Sequence, residues 1–268
     1  MIKLEVLPKN IDIFTYSFPC QDLSQQGKQK GINHNARSGL LFHIYRVLKA
    51  NKERLPKVLL LENVKALVSN KFIDDFKSWI KQLDELGYKT VYRIINSTDY
   101  NSTQNRERVF AISVRKDLNK EFKFPLPIKN TNNLANIINN TLQMKDISNL
   151  INLYAHEEFK TTKNNITKSK LLNYTKFNSE AYIYKPFGFG PTLTASGANS
   201  RIKFFINNQL KLINSKQAIR YMGFDEIDAN KVFDFELVSE NKKIFTAGNS
   251  ISVEVLEQLF REIINVLK

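Results

Sequence analysis

A chain of 268 residues with 42% hydrophobic and 25% charged side chains has ordinary globular composition and enough length for one sizeable core and a smaller second lobe. Lys and Arg number 40 against 26 Asp and Glu, and the net charge of +14 attracts polyanions, nucleic acid first, although an Asn- and Lys-biased composition would leave the same excess without function. One Cys excludes an internal disulfide or a multi-cysteine zinc site, the three His are too scattered to suggest a metal, and no apolar run is long enough to span a bilayer, so the expectation is a cytoplasmic protein with a reduced thiol, no metal and no membrane partner.

In chain order, apolar runs at 11–18, 58–61, 90–95 and 109–114 have strand length and β-branched or aromatic content. Helical spacing fills 39–50 and 72–86 between them, and Gly87-Tyr88 reads as a helix stop with glycine in the left-handed position. Such alternation predicts an α/β fold with a mostly parallel sheet. From about 116 to 176 the pattern dissolves into Asn-, Lys- and Thr-rich sequence that predicts a second, loop-rich lobe; residues 159–179 hold five Lys and no acid. The chain ends on apolar positions at helical spacing, Val253, Leu256, Leu259, Phe260, Ile263, Ile264 and Leu267, after "AGNSIS": a capped amphipathic helix that must pack on something.

Chemistry is asked first of Cys20. It comes after the run 11–18, at the end of a strand where open α/β sheets place their ligands, and "QDLSQQGKQKG" beyond it is polar and flexible enough for a moving lid. A solitary Cys is a small buried hydrophobe as readily as a nucleophile. Glu62 leaves the next strand at the same sheet edge, either as a surface acid or as a desolvated one. Gln104, Arg106 and Arg108 alternate before another strand; residues two apart in extended chain share a face, so both arginines are expected to point at one anionic or carbonyl target, unless each merely pairs with a surface acid.

Pro19-Cys20-Gln21, Glu62-Asn63-Val64, Gln104-x-Arg106-x-Arg108 and Gly248-Asn249-Ser250, in that order, resemble the motifs of the DNA cytosine-5 methyltransferase family. "PTLTASGANSRI" at 191–202 and "AIRYMGFD" at 218–225 are similar to segments bordering its target-recognition domain, and the likeness spans nearly the whole chain. "FTYSFPCQDLS", "NYTKFNSEAYIY" and "GPTLTASGANSR" look like bacterial members that recognise CpG. The resemblance implies covalent catalysis on a cytosine flipped out of double-stranded DNA. Cys20 would be the nucleophile, Glu62 would contact N3, and Arg108, supported by Arg106, would supply the guanidinium side of the pocket. S-adenosyl-L-methionine would be the cofactor, near Phe18, Pro19, Asn249 and Ser250. Gln21, Ser24, Gln26, Lys28 and Arg37 would close over DNA, and Ser196, Asn199 and Arg201 would reach base edges.

The fold implied is a partial Rossmann-like methyltransferase sheet, its second half, with a small loop-rich target-recognition domain. Its parts would be a catalytic half at 1–116, the recognition domain at 117–215, and a return segment with a final helix at 216–268. The family's glycine-bearing cofactor loop has no counterpart here: ten residues precede the first strand and no Gly comes before Gly27. The first strand should therefore be a sheet edge, and the last helix should have a partly bare apolar face. The expectation is an enzyme chain whose cofactor pocket is completed by an N-terminal-half subunit. An inactive gene remnant and a DNA-binding module without chemistry are the alternatives.

Overall fold

The computed structural model describes residues 6–18, 40–138 and 141–268. Contacts group the chain into two compact units: Met1–Ile95, Glu107–Leu126 and Leu259–Lys268 form the first, Asn96–Arg106 and Pro127–Gln258 the second. Motif order instead puts the divisions at 116/117 and 215/216.

The first unit is built on β1 (Ile13–Tyr16), α1 (Leu40–Ala50), β2 (Val58–Val64), α2 (Ile73–Glu85), β3 (Tyr88–Asn96) and β4 (Glu107–Arg115). Its sheet runs β1-β2-β4-β3, so among the described residues β1 is an edge, as the sequence leads one to expect. Val58, Leu59, Leu60 and Leu61 are each at most 1% exposed: β2 is covered on both faces, which is why it reads as an unbroken apolar run. α2 buries Phe76, Trp79 and Leu83, three positions of one helical stripe, and has Asp74 and Asp75 in its first turn, where the helix dipole favours them. It stops before Gly87 at φ +93°, a left-handed conformation that glycine adopts without strain.

The expected mostly parallel sheet is corrected by the structure. β1 and β2 are parallel, joined by the α1 crossover, whereas β2 and β4 are antiparallel. β3 reaches β4 through only the short segment 97–106, too little chain for a parallel crossover, so β4 returns antiparallel.

In the second unit the stretch to about residue 176 is loop-rich, as expected, with short elements set in it, and further strands follow. α3 (Leu134–Ile137) and β5 (Lys145–Asp146) lead into α4 (Asn149–Leu153), β6 (Lys160–Thr161), β7 (Ile166–Lys170), β8 (Tyr182–Gly188), β9 (Lys203–Ile206) and β10 (Gln209–Leu212). The strands make a six-stranded sheet ordered β5-β10-β9-β8-β7-β6. β9 and β10 are a hairpin through Asn207 and Asn208, both at positive φ, the two-residue turn that matches strand twist. α5 (Ser215–Tyr221), α6 (Glu226–Asp234) and α7 (Glu240–Asn249) come next, and Leu193, Phe204, Ile219, Tyr221, Met222 and Ala247 share one buried cluster.

The last helix, α8 (Val253–Leu267), has the length expected. Its apolar face is covered in part: Val255, Leu259, Ile263 and Val266 are buried, Val253, Leu256, Phe260 and Leu267 are half-buried, and Ile264 is 46% exposed. No described helix is long and apolar enough to cross a membrane.

Candidate active site

Glu62 and Arg108 meet on the sheet of the first unit. The antiparallel register sets Glu62 opposite Phe110 and Val64 opposite Arg108, so the acid and the base are diagonal neighbours on one face. Arg108 Nε lies 3.3 Å from Glu62 Oε1, and the two side chains are only 17% and 13% exposed. At that burial each charge depends on the other, because removing one partner leaves its mate poorly hydrated. Arg108 also donates from Nη1 to the Glu107 carbonyl at 2.8 Å, which fixes the plane of the guanidinium.

The chain leaving β1 toward Cys20 is fastened to the same place. Ser17 Oγ donates to the Glu62 carbonyl at 2.8 Å, and Asn63 Nδ2 donates to the Phe18 carbonyl at 3.1 Å. Asn63 is 2% exposed, and its Oδ1 accepts the Val64 N–H at 2.8 Å. This amide is a positioning residue that motif reading passes over; the available signal is an Asn directly after a run of fully buried strand residues, where an amide must find partners. Cys20 itself, with Pro19, Gln21, Ser24, Gln26, Lys28 and Arg37, lies outside the described residues.

The expectation that Arg106 and Arg108 share a target is corrected. In the second unit Arg106 is 4% exposed and donates to three main-chain carbonyls: Leu193 at 2.7 Å from Nη1, and Gly248 at 3.1 Å and Ser250 at 2.9 Å from Nη2. Gln104, fully buried, accepts the Leu193 N–H at 2.8 Å and donates to the Tyr221 carbonyl at 3.1 Å. Gln104 and Arg106 thus do share a face, as alternation predicts, but that face is the core of the second unit. Gly248 belongs to the same contact: a Cβ there would stand 2.3 Å from the Thr194 carbonyl carbon, so only glycine lets α7 approach this backbone.

The described cofactor candidates are divided between the two units. Phe18 is packed in the first unit's core at 4% exposure. Ser250 has its hydroxyl on the Ala247 carbonyl at 2.7 Å and its own carbonyl on Arg106. Asn249 is exposed at the end of α7, and Pro19 lies outside the described residues.

The recognition candidates sit on the turn after Leu193. Ser196 is exposed and its carbonyl accepts the Thr194 hydroxyl at 2.8 Å, while the Asn199 carbonyl accepts the Thr194 N–H at 3.3 Å. Arg201 is ion-paired with Glu180, so reaching a base means leaving that carboxylate. Lys203, buried beside it, donates to the Glu180 carbonyl at 2.7 Å, and burial pulls its pKa down.

A mixed α/β sheet carrying a mostly buried Glu–Arg pair has the architecture of a methyltransferase-type fold. Among solved structures, the Entamoeba histolytica methyltransferase EhMeth matches at a TM-score of 0.68 and 16% identity, over 96% of this chain and 78% of that one, which shows the fold. The sequence matches the C-5 cytosine-specific DNA methylase family over residues 2–265, and the chain belongs to that family. It is 47% identical over 258 residues to the orphan methyltransferase M.SssI of Spiroplasma monobiae, covering 95% of this chain and 66% of that protein. Similarity to the type II methyltransferase M2.ScrFI of Lactococcus lactis subsp. cremoris is 31% over 259 residues, 95% of this chain and 67% of the relative. The chain therefore spans about two thirds of the length of these curated relatives. None of the comparisons supports a separate N-terminal-half subunit.

Proposed function

We propose that this chain carries the cytosine-activating face of a DNA (cytosine-5)-methyltransferase acting at CpG. The observation that carries the proposal is the Glu62–Arg108 pair, two mostly buried side chains of opposite charge on adjacent strands, beside the point where the chain is pinned on its way to Cys20. C5 of cytosine is a poor nucleophile. Addition of the Cys20 thiolate to C6 pushes the ring electrons toward C5 and N3 and makes C5 an enamine carbon. Glu62 supplies the hydrogen bond or proton at N3, and Arg108 balances the charge that gathers at O2. After C5 is methylated, loss of its proton and expulsion of Cys20 restore the aromatic ring and the thiol.

S-adenosyl-L-methionine, the donor implied by the family, supplies an electrophilic methyl group when bound. The target carbon is unreachable in a stacked duplex, so the cytosine must be flipped out, at a cost of a few kcal/mol. A net charge of +14 supplies phosphate attraction toward that cost. Gln21, Ser24, Gln26, Lys28 and Arg37 are assigned to closing over the DNA, and Ser196, Asn199 and Arg201 to its base edges. A cytoplasmic location accords with this substrate.

Cys20→Ser in the intact protein tests the proposal through transfer of labelled methyl groups to a CpG duplex. Transfer should fall by at least ~10³-fold while DNA affinity stays within about threefold, because the hydroxyl is a far weaker nucleophile than the thiolate and the binding surface is untouched. Retained transfer would remove Cys20 from the mechanism.

A further inference from the structure

Segment 103–106 and segment 190–193 of the second unit run side by side. Gln104 forms a parallel bridge with Gly190; the Gly190 N–H donates to the Thr103 carbonyl and the Asn105 N–H to the Gly190 carbonyl, both at 2.9 Å. Past that bridge, side chains replace the ladder. Thr192 Oγ1 donates to the Asn105 carbonyl at 2.6 Å, Gln104 Oε1 takes the Leu193 N–H at 2.8 Å, and Arg106 takes the Leu193 carbonyl at 2.7 Å. Both main-chain groups of Leu193 are therefore held by buried side chains spaced two apart. The other side is closed as well: Tyr221 Oη donates to the Pro191 carbonyl at 2.8 Å, and a Cβ on Gly190 would lie 2.1 Å from that hydroxyl.

Immediately after Leu193 the chain enters the turn 194–201, with Ser196, Asn199 and Arg201 on it. The turn closes on itself, through Thr194 on the Ser196 and Asn199 carbonyls and through Ser200 and Arg201 on the Gly197 and Ala198 carbonyls, so where it is presented depends on its two ends, the held Leu193 and the ion-paired Arg201. We propose that Gln104 and Arg106 are positioning residues that set base specificity, clamping Leu193 so that the recognition turn is presented in one register. This rests on the DNA methyltransferase reading of the site. It removes Arg106 from the chemistry, since its planar fork spans three carbonyls that a lysine's single ammonium cannot satisfy together.

Arg106→Lys and the milder Thr192→Val, made in the intact protein, test the clamp in two ways. Hydrogen exchange should speed up at least ~10-fold over residues 190–201 of Arg106→Lys and stay unchanged over 58–64, with a smaller change of the same kind in Thr192→Val. Unchanged exchange over 190–201 would overturn the clamp whatever the protein does. Steady-state methylation of a CpG duplex and of duplexes with one base of the site altered reads the specificity. KM for the preferred duplex should rise about 10-fold and the preference ratio fall about 10-fold, with kcat moving much less. A ~100-fold loss of kcat at an unchanged preference ratio would return Arg106 to catalysis and overturn the proposal. Wild-type protein that methylates no duplex in preference to another would overturn the DNA reading and the specificity role with it, while the exchange result still decides the clamp.

Discussion

Arg106 and Arg108 are separated by one residue and serve opposite ends. Arg106 is 4% exposed, belongs to the second unit and gives its guanidinium to main-chain carbonyls of Leu193, Gly248 and Ser250. Arg108 belongs to the first unit and stands 3.3 Å from a carboxylate on the neighbouring strand. Carbonyls are fixed, neutral acceptors, so the first arginine works as a structural fork. A mostly buried carboxylate is a charge that the proposed chemistry can use. The motif Gln-x-Arg-x-Arg therefore joins a buried fork to an ion pair, and identical side chains take their roles from the acceptors the fold supplies.

The contrast is broken most strongly at Arg108. Arg108→Ala should lower methyl transfer ~10²–10³-fold, the usual cost of removing one group that stabilises developing charge, while the melting temperature falls by several degrees because Glu62 is left mostly buried without its mate. A large melting shift with modest loss of transfer would make Arg108 a structural residue like Arg106. The converse case is Gly248→Ala. A methyl group 2.3 Å from the Thr194 carbonyl carbon must push α7 off the clamped segment, at about 2–3 kcal/mol of stability in denaturant unfolding. A neutral result would show that the close approach contributes nothing to stability.

The smallest effect is expected at Glu254. Burial raises the pKa of this carboxyl, against the lowering by the Ser252 hydroxyl that donates to it at 2.6 Å. A folded-state pKa above the ordinary carboxylate value contributes stability that is present below that value and lost as pH rises through the raised one. At neutral pH the ionised group is therefore a liability. Glu254→Gln should raise the melting temperature by about 1–2 °C at pH 7.5 and give no gain near pH 4, and an equal gain at both would assign the effect to packing instead.

Much of the first unit was legible from patterns that survive without neighbours. Val58–Leu61 is apolar throughout because β2 is covered on both faces, and the 72–86 stripe became α2 with Gly87 at its end. β5, β6 and β7 of the second unit were not, because the first two have two residues each and β7, Ile-Thr-Lys-Ser-Lys, has a single apolar side chain, so period-two apolar signal vanishes. Glu62 and Arg108 were legible as residues, whereas Asn63 and Gly248 became functional only when their contacts with Phe18 and Thr194 were seen.

The sequence alone determined the order of the motifs, the excess of positive charge and the residue types available for covalent attack on a cytosine, since these are properties of a linear chain. Tertiary structure decided which groups face each other: that β4 returns antiparallel and brings Arg108 diagonal to Glu62, and that Gln104 and Arg106 close on Leu193. Such pairings depend on strand register and on burial of residues far apart in the chain, and neither is written in local periodicity.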